Sequence, residues 1–272
     1  MAFISRYVSH QPDEKGYIAY FDEEHRVWSM LFERQKKLLP GRACDEYLQG
    51  LHDLNLSSEG IPQLPEVSKI LKAKTGWRVA PVAALISARE FFELLADRAF
   101  PAATFIRTRE ELDYVKEPDI FHELFGHCPL LMNSVYADFI HQYALKVLTY
   151  PESEWPLLQR MFWFTVEFGL IQTPLGVRIY GGGILSSIHE TVYSVESDNP
   201  LRVLFNPVAV LRTPYRIDQP QSIYYVIDDF TMLYQIIDKL SDYIQRAREL
   251  KEFTPLFDAD DVEQQNLHIH AC

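Results

Sequence analysis

Apolar residues recur at three- and four-residue steps through most of the chain, so helices dominate the elements it predicts. Asp22 stands as a cap before Val27, Trp28, Leu31, Phe32 and Leu38, and Pro40-Gly41 ends that run. A second, short helix is expected from Tyr47 to Leu54. Ser87 with Glu90 and Thr108 with Glu111 have the spacing at which a hydroxyl and a carboxylate satisfy the free N–H groups of a helix start, which puts starts near 88 and 109. Pro118 suits a first helical turn and opens a helix through Phe121 and Leu124; Pro129 disfavours helical geometry at Cys128, so that helix should finish at about His127. Longer helices are expected over Val135 to Leu148, Leu157 to Ile171 and Phe230 to Leu250. Strand signals are few, from Val177 to Tyr180 before Gly181-Gly182-Gly183 and from Ile223 to Ile227. The pattern predicts a mainly α domain with a few short β hairpins.

At 272 residues and 47% hydrophobic composition there is material for one large core, and no repeat or Gly/Ser-rich stretch divides the chain. The expected division is an N-terminal extension over 1–20, a catalytic domain over 20–252 and a C-terminal tail over 253–272. Lys and Arg total 26 against 38 Asp and Glu, and the resulting charge of -12 opposes tracking along nucleic acid or an anionic membrane. No apolar run approaches the roughly twenty residues of a membrane span, and the N-terminus lacks a signal-like apolar stretch, so a cytoplasmic protein is expected. Cys44, Cys128 and Cys272 lack the close pairings of a zinc knuckle or disulfide scaffold, and reduced thiols are the default. Cys128 adjoins His127 and could add a sulfur ligand, although a buried apolar cysteine is the commoner case. His268-Ile269-His270 could share a face of an extended chain, against the commoner reading of a polar tail.

The candidate chemistry lies in Phe121-His122-Glu123-Leu124-Phe125-Gly126-His127 and in Glu167, forty positions on from His127. Two imidazoles and a carboxylate can hold iron(II) on one face and leave the other open. On an ideal α-helix residues five apart point about 140° away from each other, so the spacing alone does not make His122 and His127 co-ligands. Gly126 and Pro129 would let the backbone around His127 leave helical geometry and turn its ring inward. The bland alternative is a pair of hydrogen-bonded core histidines. Glu167 lies within Met161-Phe162-Trp163-Phe164-Thr165-Val166 and Phe168-Gly169-Leu170-Ile171, where a buried carboxylate costs several kcal/mol unless it is paired or metal-bound. An ion pair with Arg160 or Arg178 is the alternative to the ligand role.

These residues resemble the biopterin-dependent aromatic amino acid hydroxylases, whose catalytic domain carries Pro-Glu-Pro-Asp-x-x-His-Glu-Leu-x-Gly-His and later Phe-Thr-Val-Glu-Phe-Gly-Leu. Here the first reads Lys116-Glu117-Pro118-Asp119-Ile120-Phe121-His122-Glu123-Leu124-Phe125-Gly126-His127, with Lys116 in place of the first proline; the second runs from Phe164 to Leu170. Further matches are Arg78-Val79-Ala80-Pro81-Val82, Phe105-Ile106-Arg107, Tyr180-Gly181-Gly182-Gly183-Ile184-Leu185-Ser186-Ser187 and Ile223-Tyr224-Tyr225-Val226. The similarity runs from about residue 20 to 250, without a counterpart of the family's regulatory domain or tetramerisation helix. It implies iron(II) held by His122, His127 and Glu167, with tetrahydrobiopterin or a related tetrahydropterin as co-substrate for O2.

The resemblance also implies site residues. Arg107 matches the arginine that grips the amino acid carboxylate; a surface ion pair with Glu110 or Glu111 is its alternative. Ser186 and Glu190 match positions at the substrate site, although Ser187 with Glu190 also reads as a helix start. Phe91 matches the aromatic that stacks on the pterin, Leu85 and Ile86 the backbone that reads its edge, and Glu123 and Phe162 join the pterin contacts. Trp163 stands where phenylalanine and tyrosine hydroxylases carry tryptophan and tryptophan hydroxylases carry phenylalanine. Ile217 aligns with a position that is aspartate in tyrosine hydroxylases and apolar in phenylalanine hydroxylases. The expectation is hydroxylation of L-phenylalanine to L-tyrosine by a monomer or homodimer. The rivals are tyrosine or tryptophan hydroxylation, a zinc hydrolase with Glu123 as base, and a non-catalytic helical binding protein.

Overall fold

The computed structural model describes residues 5–217 and 219–251. The expectations for the tail, including Cys272 and the His268 and His270 pair, lie outside these residues. Helix α1 spans Asp22–Leu38 and buries Val27, Trp28, Leu31 and Phe32, the apolar stripe its sequence presents. Asp22 is its first helical residue rather than its cap, because the Glu24 carboxylate accepts from the Phe21 N–H at 2.7 Å and closes the helix start. Asp22, Glu23 and Glu24 at this end and Lys36 and Lys37 at the other complement the helix dipole. Helices α2 (Asp45–Asp53) and α3 (Leu64–Thr75) follow; α3 ends at Gly76, whose φ of 79° is the left-handed conformation of a helix stop.

Strands β1 (Arg78–Val82) and β2 (Ala99–Ala103) pair in parallel around helix α4 (Ala88–Ala96), which starts where Ser87 Oγ accepts from the Glu90 N–H at 3.1 Å. The predicted start near 109 is a single 3-10 turn, Arg109–Glu111. Beyond helices α5 (Ser134–Val147) and α6 (Trp155–Phe162) comes a second sheet of β3 (Leu170–Thr173), β4 (Gly176–Ile179), β5 (Leu201–Leu204) and β6 (Ile223–Ile227), ordered β4-β3-β6-β5. Helices α7 (Gly182–Leu185), α8 (Ile188–Glu196) and α9 (Pro207–Arg212) fill the connections, and α10 (Met232–Asp238) and α11 (Leu240–Glu249) follow the sheet. The fold is mainly α, as the periodicity predicts; β3 and β4 form a hairpin, while β3-β6, β5-β6 and β1-β2 are parallel pairs. Among the described residues no helix is long and apolar enough to cross a membrane.

Two of the long predicted helices are broken. The run toward Ile171 stops at Phe168, whose φ of -126° leaves helical geometry, and Leu170 opens β3. The run toward Leu250 breaks at Lys239, φ -111° and ψ 14°, although Leu233, Ile236, Leu240, Ile244 and Ala247 keep steps of three and four across the break. Strands β2 and β6 are buried at every position, so neither shows the apolar-polar alternation that marks a half-exposed strand.

Residues 5–20 pack on the domain: Tyr7 stacks on Phe105 at 4.4 Å, the Thr104 N–H donates to Ser9 Oγ at 3.1 Å, and Ile18 is buried. One large core joins the helices to the second sheet, and Ala84, Ala103 and Phe105 form a small satellite of it. Within the main core, buried Gln35 on α1 donates to the Leu185 carbonyl at 2.7 Å and to Thr191 Oγ1 at 2.5 Å, tying α1 to the turn between α7 and α8. Replacing Gln35 with leucine removes both bonds and leaves buried acceptors unpaired. Chemical denaturation of Gln35→Leu should show a loss of about 2–3 kcal/mol with an unchanged urea slope.

Candidate metal centre

Segments His122–His127 and Trp163–Glu167 are π-helical, and both carry candidate ligands. The Cys128 N–H donates to the Glu123 carbonyl at 3.3 Å, and the Phe168 N–H donates to the Trp163 carbonyl at 2.8 Å, each spanning five residues. The wider turn absorbs the extra residue between His122 and His127 and brings both rings to one face. Cys128 keeps helical angles, φ -59° and ψ -33°, so the expectation that the backbone leaves helical geometry before Pro129 is corrected: a wider turn aims the second ring.

The two Nε2 atoms lie 3.0 Å apart, with Glu167 Oε1 3.3 Å from His127 Nε2 and Glu167 Oε2 3.6 Å from His122 Nε2. Donors at right angles on a common ion, with bonds of about 2.1 Å, stand roughly 3 Å apart, so the spacing fits three ligands of one metal. The Glu167 contacts are to the histidines, and the ion pairs with Arg160 or Arg178 weighed from the sequence are not how this carboxylate is compensated. Burial alone would raise the Glu167 carboxyl, but the two imidazoles outweigh it and hold the group below its ordinary value. Burial lowers His122 to about 4, so its imidazole is neutral, the form that binds a metal.

Ser186 Oγ donates to the Gly182 carbonyl at 2.9 Å and lies 2.9 Å from His122 Nδ1. A hydroxyl has one proton to give, so Ser186 accepts from Nδ1–H, and His122 Nε2 keeps its lone pair for the metal. The glycine triple explains the close approach of the two ligand segments. A Cβ on Gly182 would meet the His127 ring at 2.4 Å, and one on Gly181 would meet the Glu167 carbonyl at 2.4 Å. Phe100 covers His127 from another side, ring centres 4.9 Å apart.

Donor atoms of His122, His127 and Glu123 also fall within 4.8 Å of one another, which makes Glu123 a rival third ligand. Burial pushes the Glu123 carboxyl well above its ordinary value, whereas Glu167 is held ionised between the histidines; the geometry favours Glu167. Glu123 sits beside the centre at the position the resemblance gives to a pterin contact.

Arg107 is buried and forms a two-pronged pair with Asp119: Nε to Oδ2 and Nη2 to Oδ1, both 2.8 Å. The surface pairing with Glu110 or Glu111 is therefore not its role. Burial would raise the Asp119 carboxyl, but Arg107 and the N–H groups of Arg107 and His122 outweigh it and hold it low. Asp119 Oδ1 accepts from the His122 N–H at 3.1 Å, so one carboxylate locks both the guanidinium and the turn that carries the first histidine. Sequence reading assigned Asp119 no role; its signal was an aspartate three residues before the first ligand, the spacing of a helix cap.

Trp163 lies between Tyr215, stacked at 4.2 Å, and Phe168 at 4.5 Å, and its Nε1–H donates to Gln221 Oε1 at 3.0 Å. Ser187 caps α8, its Oγ accepting from the Glu190 N–H at 3.2 Å, while the Glu190 carboxyl accepts from the Tyr224 hydroxyl and the Gln221 N–H. Burial raises Glu190 to about 7 against these two donors. Tyr215 and Gln221 were not singled out from the sequence, and Tyr224 stood there only within a matching motif, because only folding brings them to Trp163 and Glu190. Phe91 meets Phe162 edge to face at 5.1 Å, Leu85 is exposed and Ile86 half-buried on the loop before α4. Ile217 is 60% exposed, so its side chain is not packed into the Trp163 cluster as a closed pocket wall would be; its carbonyl faces the Tyr114 hydroxyl at 3.5 Å.

This arrangement, two histidines and a glutamate facing one another with a buried Arg107–Asp119 pair at the start of the histidine turn, belongs to a defined class. The sequence model of the biopterin-dependent aromatic amino acid hydroxylases matches residues 5–270, and the chain belongs to that family. Among its relatives, the chain is 53% identical over 254 residues to the phenylalanine-4-hydroxylase of Pseudomonas aeruginosa, covering 93% of this chain and 97% of that one. A solved phenylalanine hydroxylase from Legionella pneumophila is 68% identical with a TM-score of 0.90, covering 92% of this chain and 100% of that one. The Chromobacterium violaceum phenylalanine hydroxylase solved with iron(III) and 7,8-dihydrobiopterin is 41% identical with a TM-score of 0.83, covering 89% and 90%.

The two glutamates are separated by experiment. Glu167→Gln should lower iron affinity by at least about tenfold, whereas Glu123→Gln should leave iron stoichiometry intact; Ser186→Ala should weaken iron binding about 10- to 100-fold by freeing the His122 ring. Anaerobic titration with iron(II), read by elemental analysis after gel filtration, checks all three.

Proposed function

We propose that the protein is a phenylalanine 4-monooxygenase that converts L-phenylalanine to L-tyrosine with O2 and a tetrahydropterin at a non-haem iron(II) centre. The reading is carried by the three-donor face of His122, His127 and Glu167, set within a family whose bacterial members of high identity are phenylalanine-4-hydroxylases. Iron and the tetrahydropterin together supply the activation of O2 that no amino acid side chain provides.

The residues of the chain bind, orient and exclude water. Asp119 takes the Nε and Nη2 donors of Arg107 and fixes the plane of its guanidinium, so that the Nη1 group presents charge to the substrate carboxylate. Trp163, held between Phe168 and Tyr215, offers a rigid apolar surface to the substrate ring, and its bulk disfavours the larger indole of tryptophan. Phe91 and Phe162, with the loop carrying Leu85 and Ile86, would hold the pterin, and Glu123 would contact it. Ser186 holds the His122 ring through Nδ1, so that Nε2 would be left for the metal. The family and its phenylalanine-4-hydroxylase relatives do not favour the zinc hydrolase reading.

Protein reconstituted anaerobically with iron(II) should form tyrosine from phenylalanine only when O2 and a tetrahydropterin are both added. Tyrosine formed without pterin, or supported by zinc alone, contradicts the assignment. Arg107→Lys, which keeps the charge and loses the planar fork, should raise KM for phenylalanine by about tenfold or more while the iron content stays at one per chain.

A further inference from the structure

The mechanism uses the Trp163 indole as a fixed surface, yet stacking alone does not fix it, because a ring between two others can still slide and turn in its plane. The remaining constraint is the bond from Nε1–H to Gln221 Oε1 at 3.0 Å. Gln221 is buried, with 6% of its surface exposed, and it has no orientational choice. Its Nε2 donates to the Arg216 carbonyl at 2.9 Å, and its backbone N–H donates to Glu190 Oε1 at 3.2 Å. An indole nitrogen only donates and a carbonyl only accepts, so turning the amide over would set donor against donor and acceptor against acceptor. Glu190 is held in turn by the Tyr224 hydroxyl from β6. The chain of contacts runs from the sheet through Glu190 and Gln221 to the edge of the ring pocket.

Resting on the phenylalanine reading above, we propose that Gln221 is a positioning residue for substrate selection: it holds the Trp163 indole in the orientation that accepts a phenyl ring and rejects an indole. Its effect passes through Trp163 and leaves the metal and the pterin untouched. This differs from the assignment of selectivity to Ile217, whose exposed side chain lies outside the stacked cluster.

Gln221→Met keeps the length of the side chain and removes both amide bonds. The loss of one buried hydrogen bond of about 1 kcal/mol corresponds to roughly a fivefold change, so KM for phenylalanine should rise about fivefold and the tryptophan-to-phenylalanine ratio of kcat/KM should rise by a similar factor. Iron content, kcat for phenylalanine and KM for the tetrahydropterin should change by less than about twofold. The decisive comparison places the same change in a Trp163→Phe background, where there is no indole N–H to hold and the effect should vanish. Gln221→Asn, which keeps an amide but is one methylene short of the indole, should act as Gln221→Met does and serves if the methionine variant does not fold. Wild-type protein that forms no tyrosine from phenylalanine overturns the functional reading and this inference with it. With the wild type active, a folded variant with unchanged phenylalanine KM and selectivity, an effect that persists in Trp163→Phe, or an equal shift in pterin KM overturns the role of Gln221 alone.

Discussion

The hydrogen bonds from Cys128 N–H to Glu123 O and from Phe168 N–H to Trp163 O each close a helical turn over five residues, and the metal site depends on them. In an α-helix His122 and His127 would point about 140° apart, and no rotamer choice would bring both Nε2 atoms to one point. The wider turn does so at a separation of 3.0 Å. Such turns are rare because their hydrogen bonds are poorly shaped, and here neighbouring structure holds them. Gly181 and Gly182 allow the chain to pass against both turns at distances that a side chain would close.

Charge in an apolar interior is the second constraint, and the protein meets it in two ways. Glu167 beside the two histidines and Asp119 beside Arg107 and two backbone N–H groups are held below their ordinary values, whereas burial raises Glu123, and raises Glu190 in spite of the Tyr224 hydroxyl and the Gln221 N–H. Each pairing also orients a functional group. Asp119 sets the guanidinium and anchors the start of the histidine turn; Glu190 seats the segment that carries Gln221. A buried carboxylate is costly unless its partners are in place, so these pairings make the site rigid as a condition of folding at all.

Much of this was legible in the sequence. The helix starts at Ser87 and Ser187, the buried stripe of α1 and the strand at Ile223–Ile227 follow from local chemistry, and the family motifs name the two histidines and Glu167. The break at Lys239 was not legible because the apolar steps run through it unchanged, and β2 was not because Ala99-Phe100-Pro101-Ala102-Ala103 lacks the β-branched and aromatic run that marks β6. The partners of Trp163 were hidden for a different reason. Tyr215 and Gln221 lie 52 and 58 positions along the chain, and no local pattern reports a contact made over such a separation.

The sequence by itself determined the mainly α class and the family, because periodicity, capping residues and long ordered motifs are written in neighbouring positions. Tertiary structure alone decided how His122 and His127, five residues apart, face each other, that Arg107 is held by Asp119 rather than by a surface acid, and that Gln221 accepts from the Trp163 indole. The physical reason is common to all three. Each depends on where packing forces a backbone to widen or a side chain to turn, and those forces come from residues distant in the chain.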